Sequence, residues 1–381
     1  MDTLFQEIAS YLESLFFYRL PFFPENIRVS LFVILFCIIS AVEIYLFLFG
    51  HYVRDFRNKK LDKSWKDTIS DMLTSIIING EEENGVGNTV NAYLSRFQKL
   101  PVHRKRVRTI LVDEIKVYHS NFTGFTSDVL RELFLRLDLH KYSLKKIKSN
   151  YWEIQVEGIR EISQFWLTEY HQLIFELTDH EHEIVRMEAQ AAYVKLDKEN
   201  PFKFLNSLRS RLLPWHQLVL FEIITKAQNV KIPQFGQWLK SLNDSIVLFS
   251  LKLISHFQQL DALDEIIILL KHPNEEIRIQ AVQVIGKLEA EFVEPIIYEH
   301  FFNDTPKVQV EIIRSIGKIS SGNYFDFLKS CLDTEEFELK MAAMKAILAH
   351  GKKGKTMLEV LREETHLQNR EIIVHVLDRR I

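Results

Sequence analysis

The chain has 381 residues, 47% of them hydrophobic, with a formal net charge of −3 and two cysteines, Cys37 and Cys331. That is ample for a sizeable core, and one cysteine in an apolar run with the other far along the chain excludes an intrachain disulfide. The charge is unevenly spread: residues 1–150 carry 21 Lys+Arg against 17 Asp+Glu, whereas residues 151–381 carry 27 against 34, an acidic stretch that disfavours nucleic acid as a ligand.

Residues 1–28 place Leu4, Ile8, Tyr11, Leu12 and Leu15 at helical spacing, with Asp2, Glu7 and Glu13 on the other side. The spacing predicts an outer amphipathic helix, broken by Pro21 and Pro24, that lies on a membrane surface or packs on a partner protein. Residues 29–50 follow, an apolar run whose only charged residue is Glu43. At helical rise it reaches about 33 Å, enough for a hydrocarbon core of about 30 Å. The run is longer than the core of a signal peptide and ends in Leu48-Phe49-Gly50-His51 without a small-residue cleavage pattern, so the expectation is a retained single transmembrane helix. Glu43 has two readings: it pairs with a polar group on a partner's membrane helix, or it is a protonated or water-contacting bystander.

Arg54, Arg57, Lys59, Lys60, Lys63 and Lys66 follow the run, against Arg19 and Arg28 before it. The positive-inside rule then places the long C-terminal part in the cytoplasm of a single-pass protein of the cell's inner membrane. Residues 51–150 are expected to form a membrane-proximal helical region. Trp65, Ile69, Met72, Leu73 and Ile76 extend a helix to about residue 79, and the acidic, glycine-containing loop over 80–87 is the candidate hinge. Three helices are predicted over 88–99, 102–118 and 126–138. The second opens on Arg104, Lys105, Arg106 and Arg108, a basic cluster that either contacts anionic headgroups or forms a solvated face.

From 151 to 381 a repeat sets in, with an apolar residue, a polar or basic one, and core positions at helical spacing. Its second positions, 155, 186, 217, 248, 278, 309, 340 and 370, lie 30 or 31 residues apart, eight units in phase. Each unit has room for two helices of about a dozen residues. Arg186, Arg278 and Lys340 at the second position are expected to brace adjacent turns through carboxylates such as Asp179 and Asp333, and Ala189, Ala281 and Ala343 to allow close helix approach.

The stretches EIVRMEAQAAYVKL (183–196), EIRIQAVQVIGKL (276–288) and KVQVEIIRSIGKI (307–319), each after an Asp, Asn or Pro turn, resemble the second helix of HEAT-like repeats. The period is similar to the short bacterial variety first associated with phycobilisome lyases. The resemblance implies an all-α fold, an α-solenoid of helical pairs, behind the single transmembrane helix. It implies no particular function, because the matching residues are those that pack helix on helix.

The chain contains no phosphate-cradling glycine loop and no nucleophile elbow. His171 and His180-Glu181-His182-Glu183 lack the helix-face spacing of a hydrolase metal site and read as a surface turn. Trp152, Phe165, Trp166, Tyr170 and Phe175 gather in the first unit, most as core, with Trp152 and Trp166 as candidate partner contacts. The expectation is therefore a non-enzyme without cofactor, metal or evident small-molecule substrate: a membrane-anchored scaffold or adaptor for a cytoplasmic protein or the cytoplasmic part of a neighbouring membrane protein. The alternatives are a HEAT-like enzyme of lyase or DNA glycosylase type, and a sensor that relays a signal through the span.

Overall fold

The computed structural model describes residues 6–7, 10–11, 14, 24–79, 85–227, 230–364 and 367–378. The outer segment expected over 1–28 and residues 80–84 of the candidate hinge lie largely or wholly outside the described residues. All regular secondary structure among the described residues is helical.

Helix α1 (Glu25–Asn79) is a single unbroken element of 55 residues, about 80 Å long at helical rise. Its sequence changes character along the way. From Val33 to Phe49 large apolar side chains stand exposed on every side, Phe36, Ile39, Val42, Tyr45 and Phe47 among them. A helix that is apolar all round is suited to a core or to lipid, and none of this window is buried. It is long and apolar enough to cross a membrane. Beyond Trp65 the pattern becomes amphipathic, and Ile69, Leu73 and Ile76 are buried.

Those three side chains belong to a compact unit spanning Met1–Leu139, completed by α2 (Gly85–Gln98), α3 (Lys105–Asn121) and α4 (Phe125–Arg136). Helix α3 begins later than expected because Pro101–Arg104 form a turn, with the Arg104 N–H donating to the Pro101 carbonyl at 2.9 Å. It is bound to α1 by three successive contacts. The Arg106 guanidinium pairs with Asp62, the Lys66 ammonium lies 3.1 Å from Glu114, and the Tyr118 hydroxyl meets Ser70 at 2.7 Å and Thr74 at 3.0 Å. The order of these contacts makes the two helices parallel, so the basic opening of α3 lies at the end of the unit nearest the apolar stretch.

The second unit spans His140–Ile381. Helix α5 (Leu139–Ile147) precedes α6 (Trp152–Gln164), and α7 (His171–Phe175) precedes α8 (Glu183–Leu196). A 3-10 turn at Lys203–Asn206 leads to α9 (Pro214–Lys226), and another at Phe235–Trp238 leads to α10 (Asp244–Phe257). Then α11 (Leu263–Leu269) precedes α12 (Glu275–Lys287), and α13 (Glu294–Phe301) precedes α14 (Pro306–Ile319). Last, α15 (Phe325–Ser330) precedes α16 (Phe337–Ala349), and α17 (Lys352–Glu364) precedes α18 (Leu367–Leu377). The second helices start at 152, 183, 214, 244, 275, 306, 337 and 367, steps of 30 or 31 residues. The fold is an all-α solenoid of HEAT-like helical pairs.

The first helices correct the sequence expectation. Most are much shorter than a dozen residues, and two are reduced to the four-residue 3-10 turns. At the two 3-10 turns competing turn chemistry works against a helix: the Asp197 carboxylate accepts the N–H groups of Glu199 and Asn200 at 3.0 and 2.9 Å, and Pro201 and Pro233 precede the two turns. Aromatic rings fill the space that full helices would take. Phe202 packs on Phe235 and Phe249 with ring centroids 5.7 and 5.8 Å apart, and all three rings are buried.

Second helices stack directly on one another through small residues. Ala189, Ala281 and Ala343 are fully buried. A β-carbon placed on Gly286 of α12 would fall 2.6 Å from the Ser315 hydroxyl of α14, so a side chain there has no room.

Candidate functional site

The second position of the repeat serves the fold. The side-chain nitrogens of Gln155, Arg186, Gln217, Arg278 and Gln309 donate to the carbonyls of Ile147, His180, Leu212, His272 and Phe301 at 3.2, 2.7, 3.0, 2.8 and 2.8 Å. Each satisfies a carbonyl left open where the first helix or its turn ends. Lys340 is half-buried at the same position of α16. The carboxylate that joins this ladder is Asp304, 2.9 Å from Arg278 and only 8% exposed. It lies in the turn before α14, so the pair ties two consecutive units. Asp179 and Asp333 are exposed and form no ion pair with the described cations.

The other candidates are dispersed. Glu43 stands exposed on the bare part of α1 without a partner among the described residues. Of the basic cluster, Arg106 is held by Asp62 and Arg108 donates to the Val102 carbonyl at 3.3 Å, whereas the Arg104 and Lys105 side chains are exposed. Trp152 stacks on His182 with ring centroids 4.6 Å apart, and the exposed Trp166 ends the first pair in a left-handed conformation at φ 52°. No cluster of three or more potential metal-ligating side chains occurs among the described residues.

Among the described residues, grooves open along the edge where second helices begin, and two of them are large. The larger, about 930 Å³, faces the units whose first helices are reduced to 3-10 turns. Arg209, Arg211 and Lys252 line it together with Asp244 and Glu276, so its charge is mixed. The smaller, about 720 Å³, lies between α13 and α15. Tyr298 and Phe301 meet Phe327 edge to face with ring centroids 4.8 and 4.9 Å apart, and Phe302 meets Tyr298 at 5.4 Å. Asp326, Asp333 and Glu336 rim these rings, and all three are exposed.

Sequence reasoning passed over the second groove because its aromatic residues sit on two first helices, in segments 298–302 and 324–327. The repeat brings these segments side by side. The usable signal was a second aromatic cluster on the first helix of the next unit.

The chemistry on offer is recognition. The one thiol at this groove, Cys331, is buried, and burial pushes its pKa up to about 11, which keeps it a neutral thiol. The most strongly buried imidazole, His216, is pushed down to about 4 by burial and donates its Nε2 proton to Gln190 at 2.9 Å. Gln190 in turn donates to the Thr178 carbonyl at 2.8 Å, so His216 closes a structural network.

No family model and no curated protein sequence matches the chain. Solved structures do. YibA of Escherichia coli is 15% identical with a TM-score of 0.38, over 63% of this chain and 92% of that one. The complex of CpcE and CpcF, a phycocyanin lyase of a Nostoc species, is 11% identical with a TM-score of 0.27, over 62% and 94% of the two chains. Kap121p is 12% identical with a TM-score of 0.33, over 84% and 50%. At such scores the likeness carries nothing about activity, and it is the chain's own geometry, eight second helices 30 or 31 residues apart with a side-chain brace at five of them, that makes the second unit a HEAT-like repeat array.

Proposed function

We propose that the protein is a non-enzymatic, membrane-anchored scaffold whose HEAT-like array holds a cytoplasmic protein or the cytoplasmic part of a neighbouring membrane protein. The observation that carries this reading is the continuity of α1, which runs from an apolar stretch with no buried residue in its membrane-length window into a packed unit without a break. An exposed collar of that length in water would be an aggregation site, whereas in lipid it is an anchor. The basic residues Arg54, Arg57, Lys59, Lys60 and Lys63 behind it are exposed, as a cytoplasmic flank requires. Repeat arrays offer extended surface rather than a catalytic cleft, and a tether raises the effective concentration of partners in the same membrane.

The test is crosslinking and capture from membranes, with the full chain compared with a version beginning at Lys60. A reproducible protein partner that depends on the tether supports the reading, and no partner in either case removes it. A topology reporter fused at Ile381 checks the orientation separately, and reporter activity outside the cytoplasm overturns it.

A further inference from the structure

We infer that the groove between α13 and α15 seats a basic, apolar-anchored peptide segment, namely the cytoplasmic juxtamembrane stretch of a neighbouring membrane protein. The inference deepens the proposed function and rests on it for where the partner lies. Three features of the groove carry the chemistry.

The first is an excess of negative charge. Asp326, Asp333 and Glu336 line one groove, all exposed, and none forms an ion pair with a described cation. Gathered carboxylates focus a negative potential in a concave surface. Asp326 and Asp333 also line a smaller cavity alongside, of about 300 Å³, together with the exposed Lys329, so the three carboxylates outnumber the one cation beside them.

The second is apolar surface left in water. Phe302, which lines the groove, is 62% exposed. The third is that aromatic rings and carboxylates line the same groove. A guanidinium or ammonium over an aromatic face is attracted by the ring quadrupole while its N–H groups reach an acidic oxygen. Together these features select a segment that alternates Lys or Arg with large apolar residues. An acidic peptide or an anionic lipid headgroup would meet only repulsion from the three carboxylates.

The source of such a segment follows from physics that applies to every membrane protein. Cytoplasmic stretches next to membrane spans are enriched in Lys and Arg. An acidic array tethered beside them presents the complementary sign at high effective concentration.

The experiment uses the full chain in phosphatidylcholine nanodiscs and a fluorescein-labelled peptide of alternating arginine and leucine, read by anisotropy. Wild type is expected to bind it, and to ignore the matching glutamate–leucine peptide. The Asp326→Asn, Asp333→Asn, Glu336→Gln triple variant is expected to bind about tenfold more weakly, the scale of a few exposed ion pairs. Phe302→Ala, at an exposed ring, should also weaken binding without unfolding the unit. A control triple at exposed carboxylates elsewhere, Glu153→Gln, Asp261→Asn, Asp264→Asn, should change it less than about twofold.

Equal weakening by the control triple, or equal binding of the glutamate–leucine peptide, overturns the proposal. So does self-association of the chain that the groove variants abolish, which would assign the surface to a second copy. Co-elution of the chain with the discs reports the anchor independently. A chain that inserts but ignores the arginine–leucine peptide refutes the groove and leaves the anchor standing. A chain that binds the peptide but does not insert refutes the juxtamembrane assignment.

Discussion

Gly317 of α14 lies against Ala346 of α16 so closely that a β-carbon on Gly317 would stand 2.6 Å from both the α- and β-carbon of Ala346. The contact is backbone to backbone across two repeat units, and no flexible side chain is available to give way. Gly317→Ala is therefore expected to destabilise the array by about 1–3 kcal/mol, the usual cost of overpacking. Gly286→Ala should behave alike against Ser315. Urea unfolding of the two variants checks this. Gly50→Ala, where nothing lies within 4 Å, is the control and should leave the unfolding midpoint unchanged.

The pair Arg278–Asp304 should matter more than Arg186. Both ends of the pair are largely shielded, with side chains 16% and 8% exposed. Removing Arg278 strands a shielded carboxylate, so Arg278→Met is expected to cost about 3 kcal/mol. Arg186 donates to carbonyls in its own turn, and Arg186→Met should cost about 1 kcal/mol. A double-mutant cycle on 278 and 304 that yields no coupling energy would show that the two units are not joined there.

His216 gives the stability a pH dependence of known sign. Its folded-state pKa is pushed down to about 4, against an ordinary value of 6.5, so the unfolded chain binds the proton more readily. The contribution of His216 is complete above about pH 6.5, falls as the pH drops from there towards 4, and levels off below. A shift of that size corresponds to about 3 kcal/mol across the window. His216→Gln keeps a donor towards Gln190 and removes the titration. Its unfolding midpoint should fall less than that of the parent between pH 7 and 4.5.

The parallel packing of α1 and α3 decides where the tether can be cut. Ile69, Leu73 and Ile76 are buried in the membrane-proximal unit, although they belong to the same helix as the apolar stretch. A chain beginning at Lys60 should be released into the soluble fraction with that unit intact. A chain beginning at Asn88 loses three buried aliphatic side chains, each contributing about 1.5–3 kcal/mol. Hydrogen exchange across α2 to α4 should then rise to the level of an unfolded segment.

Much of the repeat was legible because its signal is local and phased. Residues such as Val185, Ala189 and Tyr193, or Ile277, Ala281 and Ile285 three units on, recur at helical spacing in the same phase, and they are buried for that reason. The shrinkage of the first helices was not legible in that way. Asp197, Pro201 and Pro233 each weaken a helix, but only the packing of Phe202, Phe235 and Phe249 shows what replaces it. At the second position the expected carboxylate partners Asp179 and Asp333 are replaced by the turn carbonyls of His180 and Glu181 for Arg186, and by a turn carbonyl together with Asp304 for Arg278, a choice that depends on how the turns fold. The aromatic groove was the hardest feature to read, since Tyr298 and Phe327 meet only once neighbouring units are stacked.

The unbroken passage of α1 through Gly50 and Lys60 fixes an angle as well as a distance. A helix advances by about 100° per residue, so one residue inserted between those positions turns the apolar collar by that much relative to the packed unit. Seven inserted residues nearly restore the phase while adding about 10 Å. The stem thus behaves as a torsion shaft, in which any rotation of the apolar collar about its own axis reappears undiminished at Ile69 and Leu73.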